Sequence, residues 1–130
     1  MKILAVDDSS TIRDLVSQTL YNIGYNDFET AVDGVDALSK VDEADEPFDF
    51  FIVDINMPNM DGFELISNLR NKFDYMSTPI MVLTTERSES MKAKGREAGA
   101  TSWIVKPFEQ AKFKNGIELT LEYINKQETF

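Results

Sequence analysis

The sequence contains no cysteine and no histidine. Without cysteine it can form no disulfide bond or thiolate metal site, and without histidine it has no imidazole nucleophile, base or metal ligand. It also lacks an apolar run as long as a membrane span, and its first apolar residues lead directly into acidic ones rather than into a signal-peptide cleavage region. Chemistry here must depend on carboxylates, hydroxyls and lysines, and we expect a soluble, cytoplasmic protein with no membrane insertion.

Basic residues are scarce as well. The 13 lysines and arginines are outnumbered by 23 aspartates and glutamates, which gives a formal charge of −10. Such a charge repels phosphate backbones, so we expect no nucleic-acid partner. The 130 residues, 42% of them apolar, suffice for one ordinary core, and no repeat or linker divides them. We predict a single domain over residues 1–130, without an output domain.

Short apolar segments alternate with segments of helical periodicity along the chain. The predicted strands are residues 2–6, 28–31, 50–53, 80–83 and 103–105. Three of the predicted helices run from Ser10 to Gly24 and over residues 35–44 and 89–98. Two further helices are predicted from apolar residues at helical spacing: Leu65, Ile66, Leu69 and Phe73 in one, and Phe113, Ile117, Leu121 and Ile124 in the other. Five such βα units indicate an α/β fold, a doubly wound parallel sheet whose strands all end at one edge.

Polar residues follow four of these strands at that edge. They are Asp7 and Asp8 after the first, Asp54 after the third, Thr84 and Thr85 at the end of the fourth, and Lys106 and Pro107 after the fifth. Converging carboxylates repel one another unless a cation joins them, and oxygen ligands suit Mg²⁺. A carboxylate nucleophile, a metal ion, a hydroxyl and a lysine together favour phosphoryl transfer to an aspartate.

Each of these residues also has an ordinary structural explanation when it is taken alone. Asp8 and the serines after it can cap a helix, and Asp54 can begin a solvated turn. The threonines can fill a strand, Lys106 can be a surface lysine at a turn, and Trp103 can belong to the core. The functional interpretation therefore depends on the whole set occurring in order at one sheet edge.

Five fragments resemble the response-regulator receiver domains, and within them the chemotaxis members. They are Val6-Asp7-Asp8-Ser9, Val53-Asp54-Ile55-Asn56-Met57-Pro58, Met60-Asp61-Gly62, Leu83-Thr84-Thr85-Glu86 and Ile104-Val105-Lys106-Pro107-Phe108. They occur in the family's order and spacing over nearly the whole chain. The resemblance implies a flavodoxin-like (βα)5 fold with strand order 2-1-3-4-5.

The resemblance also implies a role for each residue at the predicted site. Asp54 would be the phosphoacceptor, and Mg²⁺ would be held by Asp8, Asp54 and the backbone carbonyl of Asn56, with Asp7 acting through water. Lys106 and Thr84 would contact the phosphoryl group.

A second group of residues is implied in switching and in loss of the phosphoryl group. Trp103, which stands where a tyrosine is most familiar in the chemotaxis members, would be the aromatic switch. Asn56 and Glu86 would influence how water reaches the phosphoryl group, favouring a short-lived signal. Thr85 and Pro107 complete this group, and the bond before Pro107 is expected to be cis.

The implied function is that of a stand-alone response regulator, a signalling protein rather than an enzyme, which assists its own phosphorylation and dephosphorylation. Its partners would be a sensor histidine kinase, a phosphatase and a flagellar motor switch protein, and the chain itself would be a monomer. Two alternatives keep the same chemistry: a phosphate sink and a phosphorelay shuttle. A flavin- or nucleotide-binding carrier of the same fold is disfavoured, because Asp7 and Asp8 place negative charge where a phosphate-binding loop needs glycine and backbone donors.

Overall fold

A parallel sheet of five strands, in the order β2-β1-β3-β4-β5, forms the centre of the computed structural model. The strands are β1 (Ile3–Val6), β2 (Phe28–Ala31), β3 (Phe50–Val53), β4 (Ile80–Thr84) and β5 (Ser102–Val105). The helices are α1 (Ser10–Asn22), α2 (Gly34–Glu43), α3 (Gly62–Arg70), α4 (Glu89–Ala98) and α5 (Gln110–Glu128). This architecture and strand order confirm the predicted (βα)5 fold.

The structure describes the backbone of residues 1–128 and the side chains of residues 1–124. The last two residues of the predicted 1–130 domain therefore lie outside the described residues. Within residues 1–128, no helix is both long and apolar enough to cross a membrane.

Helices cover both faces of the sheet. On one face, Val16 and Leu20 of α1 and Phe113 and Ile117 of α5 form a buried cluster with sheet side chains. On the other face, α2, α3 and α4 cover a second cluster, to which α3 contributes four buried side chains: Phe63, Leu65, Ile66 and Leu69. Because both faces are covered, the three central strands β1, β3 and β4 are buried along their whole length and consist almost wholly of apolar residues, whereas the edge strand β2 contains Glu29 and Thr30.

Side-chain caps explain where four of the helices begin. In each case the capping side chain accepts a hydrogen bond from the backbone N–H three residues later, and the caps are Ser9, Asp33, Asp61 and Ser88. Such a cap satisfies one of the otherwise unpaired donors in the first helical turn. At the other end of α1, Gly24 has a φ of +100°, which explains why the helix ends near the predicted residue.

The assignment of Phe73 to the apolar stripe of α3 is wrong. The helix ends at Arg70, and Phe73 begins a short 3-10 helix, Phe73–Tyr75, with 89% of its surface exposed. Tyr75 occupies the buried position instead, with its ring centroid 5.2 Å from that of Phe51 and its hydroxyl accepting from the Phe48 N–H at 3.2 Å. The helical period is broken one turn earlier than the sequence suggests.

Candidate functional site

Backbone hydrogen bonds place the predicted site residues side by side at the carboxyl edge of the sheet. The N–H of Asp54 donates to the Val6 carbonyl at 3.0 Å, and the N–H of Lys106 donates to the Thr84 carbonyl at 2.8 Å. These bonds extend the strand ladders one residue past β3 and β5. The side chains that follow neighbouring strands are thereby brought to one place.

Three carboxylates meet at this edge. One oxygen from each of Asp7, Asp8 and Asp54 lies within 4.8 Å of the others. Asp7 and Asp54 are only 6% and 7% exposed, whereas Asp8 is exposed. One oxygen of each buried carboxylate is fixed by the backbone, since Asp7 accepts from the Ser9 N–H at 3.0 Å and Asp54 from the Ile55 N–H at 2.8 Å.

The second oxygen of each buried carboxylate faces Lys106. The Lys106 Nζ lies 2.6 Å from Asp7 Oδ2 and 3.3 Å from Asp54 Oδ2, and its side chain is 10% exposed. Burial raises the pKa of Asp54 above its ordinary value; the Lys106 charge acts in the opposite direction, and the charge of Asp7 adds to the rise. Burial is therefore the main reason that the charged form of Asp54 is disfavoured, and a further cation beside it would offset that cost.

The donor set fits Mg²⁺. It consists of carboxylate oxygens, which hard divalent cations prefer, and its three carboxylates outnumber the one lysine. Asn56, whose backbone carbonyl was predicted as a further ligand, lies two residues after Asp54 in the loop before α3. These residues could hold Mg²⁺ while leaving positions for water and a phosphate oxygen.

Glu86 makes contacts with residues of three neighbouring segments, the end of β4, the loop after β3 and strand β5. Its N–H donates to the hydroxyl of the fully buried Thr84 at 3.4 Å, and its carboxylate accepts from the Asn56 side-chain amide at 2.9 Å. Its backbone carbonyl accepts from the Trp103 indole N–H at 3.0 Å. The loops after β3 and β4 and the side chain from β5 therefore meet at one residue.

Trp103 lies partly buried against α4 and the core cluster on that face. Its ring rests on the backbone of Gly95, where an added Cβ would lie 2.7 Å from Trp103 Cζ3. The two remaining predicted residues, Thr85 and Pro107, are exposed, and the Lys106–Pro107 bond is cis, as expected.

Arg13 belongs to the surroundings of this site and was not predicted from the sequence. Its Nη1 donates to the Asp7 carbonyl at 2.9 Å and so braces the backbone between the two N-terminal aspartates. The signal available in the sequence is a basic residue in the first turn of the helix that follows Asp7 and Asp8, one turn after the Ser9 cap.

A five-stranded parallel sheet of this order, with an acidic cluster and a lysine at its carboxyl edge, defines a receiver domain. The family described as the response regulator receiver domain matches residues 3–118 of the chain. The protein belongs to this family, whose members are signalling proteins.

Chemotaxis proteins are among its relatives. The chain is 37% identical to chemotaxis protein CheY-3 of Vibrio cholerae over 122 residues, 94% of this chain and 92% of the relative. It is 38% identical to chemotaxis protein CheY1 of Helicobacter pylori over 121 residues, 93% of this chain and 97% of the relative. Its structure matches that of the chemotaxis response regulator CheY4 of Vibrio cholerae with a TM-score of 0.84 at 46% identity, covering 92% of this chain and 97% of the other.

Proposed function

We propose that the protein is a response regulator that takes a phosphoryl group onto Asp54, with Mg²⁺, from a sensor histidine kinase. The observation that carries this proposal is the environment of the Asp54 carboxylate. It is buried, it faces the Lys106 ammonium, and it lies beside two further carboxylates that can hold a cation with it. A nucleophile, a neutralising lysine and a metal site are therefore together.

Transfer from a phosphohistidine would proceed by attack of an Asp54 oxygen on phosphorus. The new P–O bond forms as the P–N bond breaks, and the imidazole nitrogen keeps the electron pair and takes up a proton. Hydrolysis later adds water to the acyl phosphate and returns the carboxylate and inorganic phosphate. Lys106 would balance charge on the phosphoryl oxygens throughout.

The metal site would be made by Asp8, Asp54 and the Asn56 carbonyl, with Asp7 acting through water. Bound Mg²⁺ supplies neutralisation of the negative phosphoryl oxygens. Around it, this chain's own groups orient the nucleophile. The Ile55 N–H donates to one Asp54 oxygen, and the Gly62 N–H donates to the Ile55 carbonyl at 2.9 Å, which closes the loop that follows Asp54.

The signal would leave through the contacts of Glu86. Phosphorylation adds roughly −1.5 to −2 charge and new acceptor oxygens at the edge where the Thr84 hydroxyl lies. A move of that hydroxyl toward the phosphoryl group would disturb its contact with the Glu86 N–H, and Glu86 also holds the Trp103 indole. Trp103 in turn packs on α4, so a change at Asp54 can reach the surface of that helix.

The lifetime of the signal is assigned to the same group. The Asn56 side-chain amide donates to the Glu86 carboxylate at 2.9 Å, and this exposed pair would influence the approach of water to the aspartyl phosphate. We propose that this pair favours rapid self-hydrolysis, with a phosphatase as an additional partner.

The output we propose is chemotaxis control, by binding of the phosphorylated protein to a flagellar motor switch protein in the cytoplasm. The support is the similarity over nearly the whole chain to proteins named for chemotaxis. We further propose that the chain acts as a monomer and as a single receiver domain.

Phosphotransfer and partner binding can be tested together. A histidine kinase domain labelled with radioactive phosphate should pass its label to the parent chain but not to Asp54→Asn. Only the labelled chain should then be retained by an immobilised motor switch protein. Equal retention of both forms would contradict phosphorylation-dependent output, and passage of the label to a separate histidine domain without switch binding would support a relay instead.

A further inference from the structure

The loop between β3 and α3, residues 55–61, joins the phosphoacceptor strand to the rest of the site and carries Asn56. We call it the acceptor loop. At its far end the Gly62 N–H donates to the Ile55 carbonyl at 2.9 Å, and a Cβ on Gly62 would lie only 2.3 Å from the Asp54 carbonyl oxygen. This end is closed tightly, whereas its middle has no strand or helix to fix it. The Met60 N–H donates to the Pro58 carbonyl at 2.7 Å, a bond within the loop, and side-chain contacts join this part of the loop to a neighbouring element.

One such contact joins the acceptor loop to the start of α2. Asp33 Oδ2 accepts from the Asn59 side-chain amide at 2.9 Å, while Oδ1 caps α2 by accepting from the Asp36 N–H at 2.8 Å. Asp33 is only 9% exposed, and each of its carboxylate oxygens accepts one of these hydrogen bonds. Asn59 has a φ of +68°, a left-handed conformation that asparagine tolerates better than most residues.

The next residues in both segments make a second contact. The Met60 side chain lies directly on Gly34, where an added Cβ would be 2.8 Å from both Cγ and Sδ of Met60. Asn59 and Met60 of the acceptor loop thus contact Asp33, the cap of α2, and Gly34, its first residue. The hydrogen bond and the packing together form a two-point clamp.

We propose that Asp33 and Asn59 are positioning residues, which fix the acceptor loop so that the Asn56 carbonyl is presented to the metal site before Mg²⁺ arrives. The inference rests on the proposed function, because it takes the Asn56 carbonyl as a ligand. Mg²⁺ demands near-ideal octahedral geometry. If the loop were not already fixed, Mg²⁺ binding would have to order it, and the conformational entropy lost would weaken the affinity for Mg²⁺. Mutation of a group that orients a metal ligand in this way typically weakens metal binding by about 10–100-fold.

Exchanging the two side chains separates this role from a general effect on folding. Asn59→Asp sets two carboxylates against each other at the clamp while keeping a residue that tolerates the left-handed conformation. The double variant D33N/N59D exchanges the amide and the carboxylate, so that the hydrogen bond can form again and the α2 cap is retained. Asn115→Asp, at an exposed position on α5, adds the same charge elsewhere.

The Mg²⁺ dissociation constant of each variant would be measured by titration calorimetry, with thermal unfolding of the metal-free proteins as the check on folding. We expect Asn59→Asp to raise the constant about tenfold, D33N/N59D to return it to within about threefold of the parent, and Asn115→Asp to leave it unchanged. If Asn59→Asp does not fold, Asn59→Gly replaces it, since glycine keeps the backbone conformation and loses only the amide; a rise of about threefold is then expected.

Two results would overturn the inference. One is an Asn59 variant that is folded and binds Mg²⁺ as tightly as the parent, and the other is a folded D33N/N59D variant that binds as weakly as Asn59→Asp. Both leave the proposed function standing, provided that the parent binds Mg²⁺ and is phosphorylated at Asp54. A parent that binds no Mg²⁺ would remove the proposed metal site and this inference together.

Discussion

The Lys106 ammonium lies 2.6 Å from Asp7 Oδ2, with both side chains 10% exposed or less, and this pair sets the electrostatic character of the site. Asp54 Oδ2 shares the same ammonium at 3.3 Å. The lysine thus partly neutralises oxygens that a bound cation would also approach. It pairs with both buried carboxylates when no metal is bound, and it would compete with a metal ion held by the same oxygens.

Replacing this lysine should therefore have opposite effects on folding and on metal binding. Lys106→Gln leaves two buried carboxylates without their cation, and we expect the free energy of unfolding in EDTA to fall by about 3 kcal/mol. With the competing charge removed, Mg²⁺ should bind more tightly and recover part of the lost stability. Urea unfolding with and without MgCl₂ measures both effects. Lys112→Gln, an exposed change on α5, should do neither, and an unaltered unfolding curve for Lys106→Gln would contradict the assigned role.

The raised pKa of Asp54 predicts that Asp54→Asn stabilises the metal-free protein. Because burial raises this pKa above its unfolded value, the folded state favours the protonated form, and stability falls as pH rises from the unfolded toward the folded pKa. At neutral pH the buried charge is therefore unfavourable, and asparagine removes it. We expect the Tm in EDTA at pH 7 to rise by a few degrees, with a smaller difference near pH 4. The exposed change Asp45→Asn is the control, and a lower Tm for Asp54→Asn would refute the prediction.

The contribution of Asp33 to stability should depend on pH in the opposite direction to that of Asp54. The Asp36 N–H and then the Asn59 amide lower the pKa of Asp33, so its contribution is present above the unfolded pKa and is lost as pH falls through the lower, folded pKa. Asp33→Ala removes the cap and the clamp bond, and should cost about 1–2 kcal/mol at pH 7. The difference between parent and variant, measured by urea unfolding, should shrink as the pH falls below the ordinary aspartate pKa of 3.8. A difference that stays constant from pH 7 to pH 2 would contradict this assignment.

The fold could be predicted largely from apolar periodicity, because the central strands β1, β3 and β4 are buried along their whole length and most of the helices have one apolar side. The prediction failed at Phe73, which continues the α3 period in sequence although α3 ends at Arg70. The reason is that Tyr75, and not Phe73, occupies the buried position beside Phe48 and Phe51. The Arg70 guanidinium also fixes the turn after α3 by donating to the Tyr75 and Thr78 carbonyls. Contacts of this kind leave no periodic signal.

The sequence predicted the site only in part. Residues that directly follow strands, such as Asp54 and Lys106, could be placed together because parallel strands share a carboxyl edge. The Asp33 to Asn59 contact could not be predicted, since it joins two loops 26 residues apart and each residue has a sufficient local explanation, one as a helix cap and the other in a turn. The Glu86 carbonyl was missed for a similar reason, because backbone groups carry no sequence signal.

The contact between Gly95 and Trp103 predicts that replacing this glycine by alanine destabilises the protein, which is the opposite of the usual effect of that change within a helix. Alanine ordinarily stabilises a helix relative to glycine by about 1 kcal/mol, but a Cβ here would lie 2.7 Å from the indole. We expect Gly95→Ala to lower stability and to shift Trp103 fluorescence to the red as the ring moves toward water. In the Trp103→Phe background, where the outer ring atoms are absent, the same change should be stabilising. Stabilisation in both backgrounds would show that the contact does not restrict the ring.

The central claim, that Asp54 accepts a phosphoryl group at a metal-dependent site, is tested most directly by intact-mass spectrometry. The chain would be incubated with Mg²⁺ and acetyl phosphate and compared with an EDTA sample and with Asp54→Asn. We expect a mass gain of one phosphoryl group in the parent with Mg²⁺ and none in either control. A parent that gains nothing, or an Asp54→Asn variant that gains the same mass, would contradict it.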